Sequence, residues 1–373
     1  MTRRQMRVRV LRHRTSLDEH ATAWGRLAVE HGNPFLTPEW FTAWAAHHAD
    51  QPFVVLIHHD EELCGVVPLV ARRRGLLTAL GFAGDRLGDG FRPLATGPLD
   101  ARGAAALAGS AIARADLPWD FVELSNCDPA GGWADALEAA LGRRATSPWN
   151  RLREERPRID AEGRSWAEYL ASAVSRRTRK ETRRRVRRLD ESGDVDFGQA
   201  STSDAEAATD TLFRLHDLRW SARGGSSIDA PPDRATLRDF NLATAERGWL
   251  RLWLLSVDGR EVAAELAWRL GDTQTHYQGG FDPEFAELSV GMVVFTSALE
   301  EAFETGAESF DLGRGIVDYK EKFMTSADDM LQRTITPGLA PSRLIVEGER
   351  AARSCYARLP DRGREIVARL SPG

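Results

Sequence analysis

The chain has 373 residues, of which 42% are hydrophobic and 28% charged, and its formal net charge is −5. At roughly 100–200 residues per domain this length predicts two domains or one large one, and the composition excludes wholesale disorder and fibrous repeats. No stretch approaches the ~20 apolar residues of a membrane span, and no apolar signal core follows the basic start at Met1 to Arg7, so a cytoplasmic protein without a membrane span is expected.

In chain order, residues 52–59 read as a buried strand, Asp60-Glu61-Glu62 as a turn, and residues 63–70 as the returning strand. An alanine-rich helix is expected near 101–115, a strand at 121–124 and a helix at 133–141. Residues 143–158 are polar, contain proline and show no periodic apolar face, so the boundary between an N-terminal domain (1–150) and a C-terminal one (151–340) is expected there. Ser165-Trp166-Ala167-Glu168 is a capping-box signature opening a helix that runs through the basic residues to Gly193. Leu212, Phe213, Leu215 and His216 mark a further helix, ending in a Gly224-Gly225 loop.

The second half then repeats the first. Residues 250–257 and 261–268 form a hairpin around Asp258-Gly259, and a third strand spans 273–281. The segment from Asp60 to Gly65 maps without a gap onto Asp258 to Ala263, which points to duplication. Ser289 is placed to cap a helix whose apolar face carries Phe295, Ala298, Leu299, Ala302 and Phe303, with Gly306 ending it. A short strand at 309–313 follows, and residues 341–373 are expected as a helical tail. Cys64, Cys127 and Cys355 lie in no metal spacing, which suits small buried thiols in a reducing compartment.

Several pieces in this order resemble the GNAT acyltransferase superfamily, in its CelD-like (BioF2-like) branch related to the FemABX peptidyltransferases. They are Asn33-Pro34-Phe35-Leu36-Thr37-Pro38-Glu39-Trp40, the basic helix ending Arg187-Arg188-Leu189, and His216-Asp217-Leu218-Arg219-Trp220. Tyr277, Phe281-Asp282-Pro283 with Ser289-x-Gly291, Phe310 to Gly315, and Asp318-Tyr319-Lys320 complete the set. The resemblance implies a mixed α/β fold of two tandem GNAT-like domains, each a mostly antiparallel mixed sheet flanked by helices, with a cleft between them. It implies an N-acetyltransferase or other acyltransferase, with acetyl-CoA or another acyl-CoA as donor, no metal, and a small-molecule or saccharide acceptor.

Acyl transfer needs a phosphate cradle, a polarised thioester and a deprotonated nucleophile. The Ser289-Val290-Gly291 helix start is the expected pyrophosphate site, because uncapped N–H groups and the positive dipole end favour phosphate. The alternative is that Ser289 only caps the helix. Arg314 joins the expected cofactor set. Lys320 is the expected cation for an oxyanion or phosphate, since FemABX relatives place a functional lysine in that late segment; solvated surface cations are the plain alternative. Tyr277 lies on the strand that GNAT proteins set beside the thioester, where a phenol can protonate the leaving thiolate or only pack. Strand alternation then points His276 to the opposite face. Asp311 is either a general base or a buried carboxylate bonding backbone. Arg219, Trp220 and Tyr319 are expected to face the acceptor.

The net charge hides one strong asymmetry. From Ser175 to Arg188 nine residues are basic and one acidic, so this segment carries +8 and the remainder of the chain −13. Of 50 basic residues only Lys180, Lys320 and Lys322 are lysine. The run is expected to bind nucleic-acid phosphates, to grip an anionic donor or acceptor, or to pair with the acidic remainder. The FemABX likeness gives a tRNA donor some weight, although no aromatic platform interleaves the arginines. Two other functions therefore stand beside acyl-CoA transfer: an aminoacyl transferase using aminoacyl-tRNA, and a nucleic-acid-binding protein on an inactive GNAT scaffold. Walker, zincin and C-x-x-C motifs are absent, Glu287 to Gly291 lacks the first glycine of a nucleophile elbow, and the pairs His47-His48 and His58-His59 make no metal site.

Overall fold

The computed structural model describes residues 6–115, 119–142, 145–221 and 228–337, together with Leu344 and Gly348. Those two positions aside, the expected tail at 341–373 lies outside the described residues, as do Gly224-Gly225 and Cys355. The first half comprises β1 (Met6–Leu11), α1 (Asp18–His31), α2 (Pro38–His47), β2 (Gln51–His59), β3 (Glu62–Arg74) and β4 (Leu77–Phe82). It continues with β5 (Leu94–Ala95), α3 (Ala101–Arg114), β6 (Phe121–Cys127), α4 (Trp133–Ala140) and β7 (Ala145–Asp160). Then come α5 (Trp166–Ala173), α6 (Arg176–Asp190), β8 (Val195–Gln199), α7 (Ala205–Ser221), α8 (Pro231–Glu246), β9 (Leu250–Val257), β10 (Arg260–Leu270) and β11 (Thr273–Phe281). The last elements are α9 (Val290–Glu304), β12 (Ser309–Asp311), α10 (Asp318–Glu321) and β13 (Ser326–Pro337).

The described strands form one sheet in the order β1-β2-β3-β4-β6-β13-β7-β12-β11-β10-β9-β8, with β5 paired to β3. All neighbours are antiparallel except β4–β6 and β11–β12. From either end the plan is the same. Four antiparallel strands lead to a parallel partner, which the chain reaches through a crossover helix (α3 or α9), as parallel pairing requires. The strand that completes each half is exchanged: β13 pairs with β6 of the first half, and β7 pairs with β12 of the second.

The hairpins carry the repeat down to single residues. Asp60 and Asp258 both adopt positive φ (55° and 51°) at the turn. Each returning strand then holds a bulge four residues later, skipping Cys64 in one case and Val262 in the other. The match made on the sequence therefore extends to the backbone register.

Two expectations are corrected. Residues 143–158 are not an aperiodic connection: from Ala145 they belong to the 16-residue strand β7, so residue 150 falls inside a strand. It is held by its backbone pairing with β13 from Ala145 to Arg158, and β12 joins it on the other side only at Arg158 to Asp160. The basic run is not one helix with the capping box. The box forms, but α5 stops at Ala173, Val174 is extended, and the Ser175 hydroxyl caps α6 by accepting from Thr178 N (3.1 Å). The Arg179 guanidinium then donates to the carbonyls of Leu170, Ala171 and Val174 at 2.7–2.9 Å, closing the C-terminal end of α5 where a cation is favoured.

One large core spans the first half and the face of the second half covered by α7 and α8. The Asn33 to Trp40 motif knits it together. Asn33 accepts from Phe35 N and donates to the carbonyls of Asp89 and Gly90, and Thr37 caps α2. Phe35 packs against Trp40, Trp268 and Tyr277 with ring centroids 4.9–5.9 Å apart. Burying each such aromatic contributes roughly 1.5–3 kcal/mol, so this motif helps to join the halves. On the opposite face of the second half, α9 packs on Trp253, Leu255, Ala263 and Ala267, with Val186 and Leu189 of α6 beside them.

Candidate active site

The parallel pairing of β11 with β12 lasts three residues, from Thr273↔Ser309 to Thr275↔Asp311. Beyond it β12 ends, the chain turns through Gly313 and Gly315 (φ 74° and 79°), and β11 runs on to Phe281. The strands part here, and a cavity of about 200 Å³ lies in the opening. Its walls are Glu265, His276, Gly279 and Phe281 of β10 and β11, Ser289 to Met292 and Phe295 of α9, Arg219 of α7 and Tyr319 of α10.

The start of α9 is not capped as expected. Ser289 adopts a left-handed conformation (φ 58°, ψ 34°), whereas a capping serine needs extended backbone, and its hydroxyl makes no cap bond. A short 3-10 turn, Pro283–Leu288, feeds into it, with Ser289 N bonded to Ala286 O at 2.9 Å. A right-handed turn followed by one left-handed residue gathers backbone N–H groups into a concave, anion-attracting arrangement at the positive end of a 15-residue helix. Gly291 owes its identity to packing: a Cβ there would stand 3.0 Å from the Phe281 ring.

His276 and Tyr277 point to opposite faces, as alternation requires, but the cavity lies on the His276 side. A bulge pairs Leu266 with Gln278 and Ala267 with His276, skipping Tyr277. Tyr277 faces Phe35 and Trp268, away from the cavity, where burial pushes its phenol up. His276 is the one that faces the cavity, with Nδ1 against the Glu265 carboxylate and its ring edge-on to Phe295 at 5.5 Å. Sequence reasoning missed both Glu265 and His276. The available signal was a glutamate inside an otherwise apolar strand, Val262-Ala263-Ala264-Glu265-Leu266-Ala267-Trp268.

Lys320, Asp311 and Arg314 gather behind the cavity rather than lining it. Lys320 is buried and donates to the carbonyls of Arg314 (2.9 Å) and Gly313 (3.3 Å); burial lowers its pKa, against the pull of Asp311 and Asp89. Asp311 accepts from Gly313 N (2.9 Å) and lies 3.5 Å from Arg156. Arg314 reaches into the first half, with Nε 2.6 Å from Asp89 and Nη2 bonded to Arg86 O. Arg314 is thus separated from the Ser289–Gly291 start with which the sequence grouped it. Burial pushes the Asp89 carboxyl up to about 6, with Arg314 partly offsetting it and Asp311 adding to it. No local pattern pointed to Asp89 or Arg156, which arrive from a loop and from β7.

Arg219 donates to Gly279 O at 2.9 Å and lies over the Phe281 ring, so it forms one wall of the cavity. Tyr319 stands edge-on to Phe295 at 5.2 Å, with its phenol pushed up by burial. Trp220 lies by His216 and is not among the lining residues. His216, Asp217 and Asp229 bring ligand atoms within 4.8 Å of one another, but Arg234 bonds both carboxylates, so a guanidinium already occupies that place.

The basic helix α6 packs through Thr178 and Leu189, with Val186 beside them, near the start of α9. Its exposed side carries Arg176, Arg177, Lys180, Arg183, Arg184, Arg187 and Arg188. Its acidic partners are few: Glu181 for Arg177 and Arg185, Glu191 for Arg187, and Glu287 for Arg188. Among the described residues Arg176, Lys180, Arg183 and Arg184 form no ion pair, so pairing with the acidic body does not account for the run. No helix among the described residues is long and apolar enough to cross a membrane.

Residues 176–321 match the acetyltransferase (GNAT) domain family, and every residue lining the cavity falls within that match. No curated protein matches the chain. The fold is similar to the C-terminal domain of a protein assigned as a lysylphosphatidylglycerol synthetase from Agrobacterium fabrum (TM-score 0.57, 13% identity, covering 90% of this chain and 95% of that one). It is similar to FemX (TM-score 0.56, 13% identity, 81% and 91% covered). It is similar as well to L-PGS from Bacillus licheniformis (TM-score 0.52, 12% identity, 90% and 97% covered).

Proposed function

We propose that this GNAT-superfamily chain, whose fold is Fem-related, is an acyltransferase that moves an acetyl or other acyl group from acyl-coenzyme A to an amine or hydroxyl on a small molecule or saccharide. The observation that carries this reading is the cavity at the parting of β11 and β12, flanked by the uncapped start of α9. The pairing of β11 with β12 ends at Thr275, and past it that edge of β11 is where a donor that itself carries amides would be bound. Ser289, Val290 and Gly291 take the pyrophosphate, because backbone N–H groups and the helix dipole favour anions there. The unpaired arginines of α6 border that entry and attract a donor bearing several negative charges.

Within the cavity, Arg219 and Tyr319 orient the acceptor, and Tyr319, kept protonated by burial, is the nearer phenol to hand a proton to the departing thiolate. Tyr277 serves by packing the back of β11. Lys320, Asp311 and Arg314 hold the Gly313–Gly315 turn, and with it the position of Tyr319, so their part in the reaction is one of placement. A second donor, aminoacyl-tRNA, is favoured by one observation, the exposed basic face of α6, of which Arg176, Lys180, Arg183 and Arg184 form no ion pair among the described residues. Calorimetric titration with acetyl-CoA tests the first reading: a single site whose affinity weakens with salt is expected, and absence of binding refutes it. Turnover of aminoacyl-tRNA in place of acetyl-CoA identifies the second.

A further inference from the structure

We infer that Glu265 and His276 form the proton-accepting pair of the site, with His276 as the catalytic base and Glu265 as the residue that positions it. The inference rests on the acyl-transfer reading of the cavity and supplies the group that reading lacks. His276 is the first residue of β11 past the last parallel pair, Thr275↔Asp311, so it stands where the strands begin to part. Its ring lines the cavity, on the face opposite Tyr277. Nδ1 lies against Glu265, and the two side chains are 11% and 5% exposed. Phe295, edge-on at 80°, fixes the plane of the imidazole. Room for the carboxylate is kept by Gly279, where a Cβ would stand 2.6 Å from Glu265 Oε2.

A carboxylate at Nδ1 holds the ring proton on that nitrogen and leaves the Nε2 lone pair free. Among the described residues no hydrogen bond engages Nε2. The other candidates for base are already committed: Asp311 to Gly313 N and Arg156, Lys320 to two carbonyls, and Tyr277 to the opposite face of the sheet. In the step, the acceptor's N–H or O–H proton passes to Nε2 as its heteroatom bonds the thioester carbonyl carbon. The C–S bond then breaks, and the imidazolium proton returns, directly or through Tyr319, to the thiolate. Acyl thioester plus acceptor gives acylated acceptor plus thiol, with no net proton gained or lost.

The test uses the full chain with acetyl-CoA, a panel of amines and alcohols, and nitrogen-15 NMR of the histidine rings. Expected are the Nδ1–H tautomer at His276, its loss in Glu265→Gln, and protection of His276 from diethyl pyrocarbonate by saturating coenzyme A. His276→Gln should lower kcat by about 10²–10⁴-fold while acetyl-CoA affinity stays within about twofold, the range expected of a general base. An Nε2–H tautomer, modification unaffected by coenzyme A, or a His276→Gln enzyme that keeps a third or more of kcat overturns the pair. Failure of the wild-type chain to bind acetyl-CoA overturns the donor reading instead, and the tautomer then decides whether Glu265 orients His276.

Discussion

Replacing Asp89 by asparagine should make the protein's stability less sensitive to pH, and by a calculable amount. Asp89 is 7% exposed, and burial raises its carboxyl from 3.8 to about 6 even with Arg314 at 2.6 Å. A carboxyl whose folded pKa is raised contributes stability that is full below the unfolded value and is lost as pH climbs through the folded one. A shift of about 2 units corresponds to about 3 kcal/mol in all, at about 1.4 kcal/mol per unit. Integrating the two titrations between pH 4.5 and 7.5 gives about 2 kcal/mol of that loss within an accessible window. The amide side chain keeps the shape of the carboxyl and cannot ionise. Urea unfolding of wild type and Asp89→Asn across that window should therefore show the wild type losing about 2 kcal/mol relative to the variant. Parallel curves, or a wild type that gains relative stability with pH, would refute the account of a carboxylate whose burial outweighs its arginine.

Lys320→Met should cost about 3–5 kcal/mol, since it strips a buried cation from two carbonyls and from neighbouring Asp311 and Asp89. A loss under about 1 kcal/mol in chemical denaturation would place Lys320 outside the turn's support. Neutralising Arg183, Arg184, Arg187 and Arg188 together to Gln should leave the unfolding midpoint nearly unchanged, because exposed pairs such as Arg188–Glu287 contribute little. The same variant should flatten the salt dependence of acetyl-CoA association measured by stopped flow; an unchanged slope would remove α6 from donor capture. Gly280→Ala should cost about 1–3 kcal/mol in thermal unfolding, because the new Cβ would meet His216 N at 2.5 Å and push α7 off β11. Gly198→Ala, with nothing within 4 Å, is the control.

Local pattern and turn chemistry made much of the fold legible. The strands at 52–59, 250–257 and 273–281 and the helices at 101–115 and 133–141 came from apolar periodicity, which decides burial residue by residue. The Asp60/Asp258 correspondence came from the positive φ a tight turn demands. What stayed hidden depended on partners distant in the chain. Strand β7 is held by the backbone ladder to β13, with β12 added only at Arg158 to Asp160, and no local pattern announces that pairing. The bulge at Tyr277 broke the alternation for the residues after it, so that Gly279 and Phe281 share the cavity face with His276, and no local pattern announced it. Ser289 was a sound capping residue by type, yet its backbone went left-handed. Of the expected site residues, Ser289, Val290, Gly291, Arg219 and Tyr319 meet at the cavity. Lys320 and Asp311, both buried, and the half-buried Arg314 form a separate cluster outside its lining.

The same topology supports placing the proposed chemistry in one half. In the first half β4 and β6 also pair in parallel for only two residues, Ala79↔Phe121 and Leu80↔Val122, and then part. There the chain fills its own opening. Phe91 N donates to Asn126 O and Phe91 O accepts from Asp128 N, so its segment bridges to the end of β6, and its ring stacks on Phe82 at 5.3 Å. Asn126 in turn bonds Asp85 O, and Asp85 is buried against Arg72. The tip of this filling loop, Asp89-Gly90, is what touches Arg314 of the second half, while β7 supplies Arg156 to Asp311. A duplicated fold with exchanged final strands therefore turns one potential site into the buttress of the other. Emptying the first opening by Phe91→Ala should cost about 3–5 kcal/mol of stability, the usual penalty for a buried aromatic. It should also lower acetyl-CoA affinity in the second half through the Asp89–Arg314 contact, measured by calorimetry on the folded variant. A variant that loses stability and binds acetyl-CoA as the wild type does would show that the two halves, though joined by one sheet, are not coupled at the site.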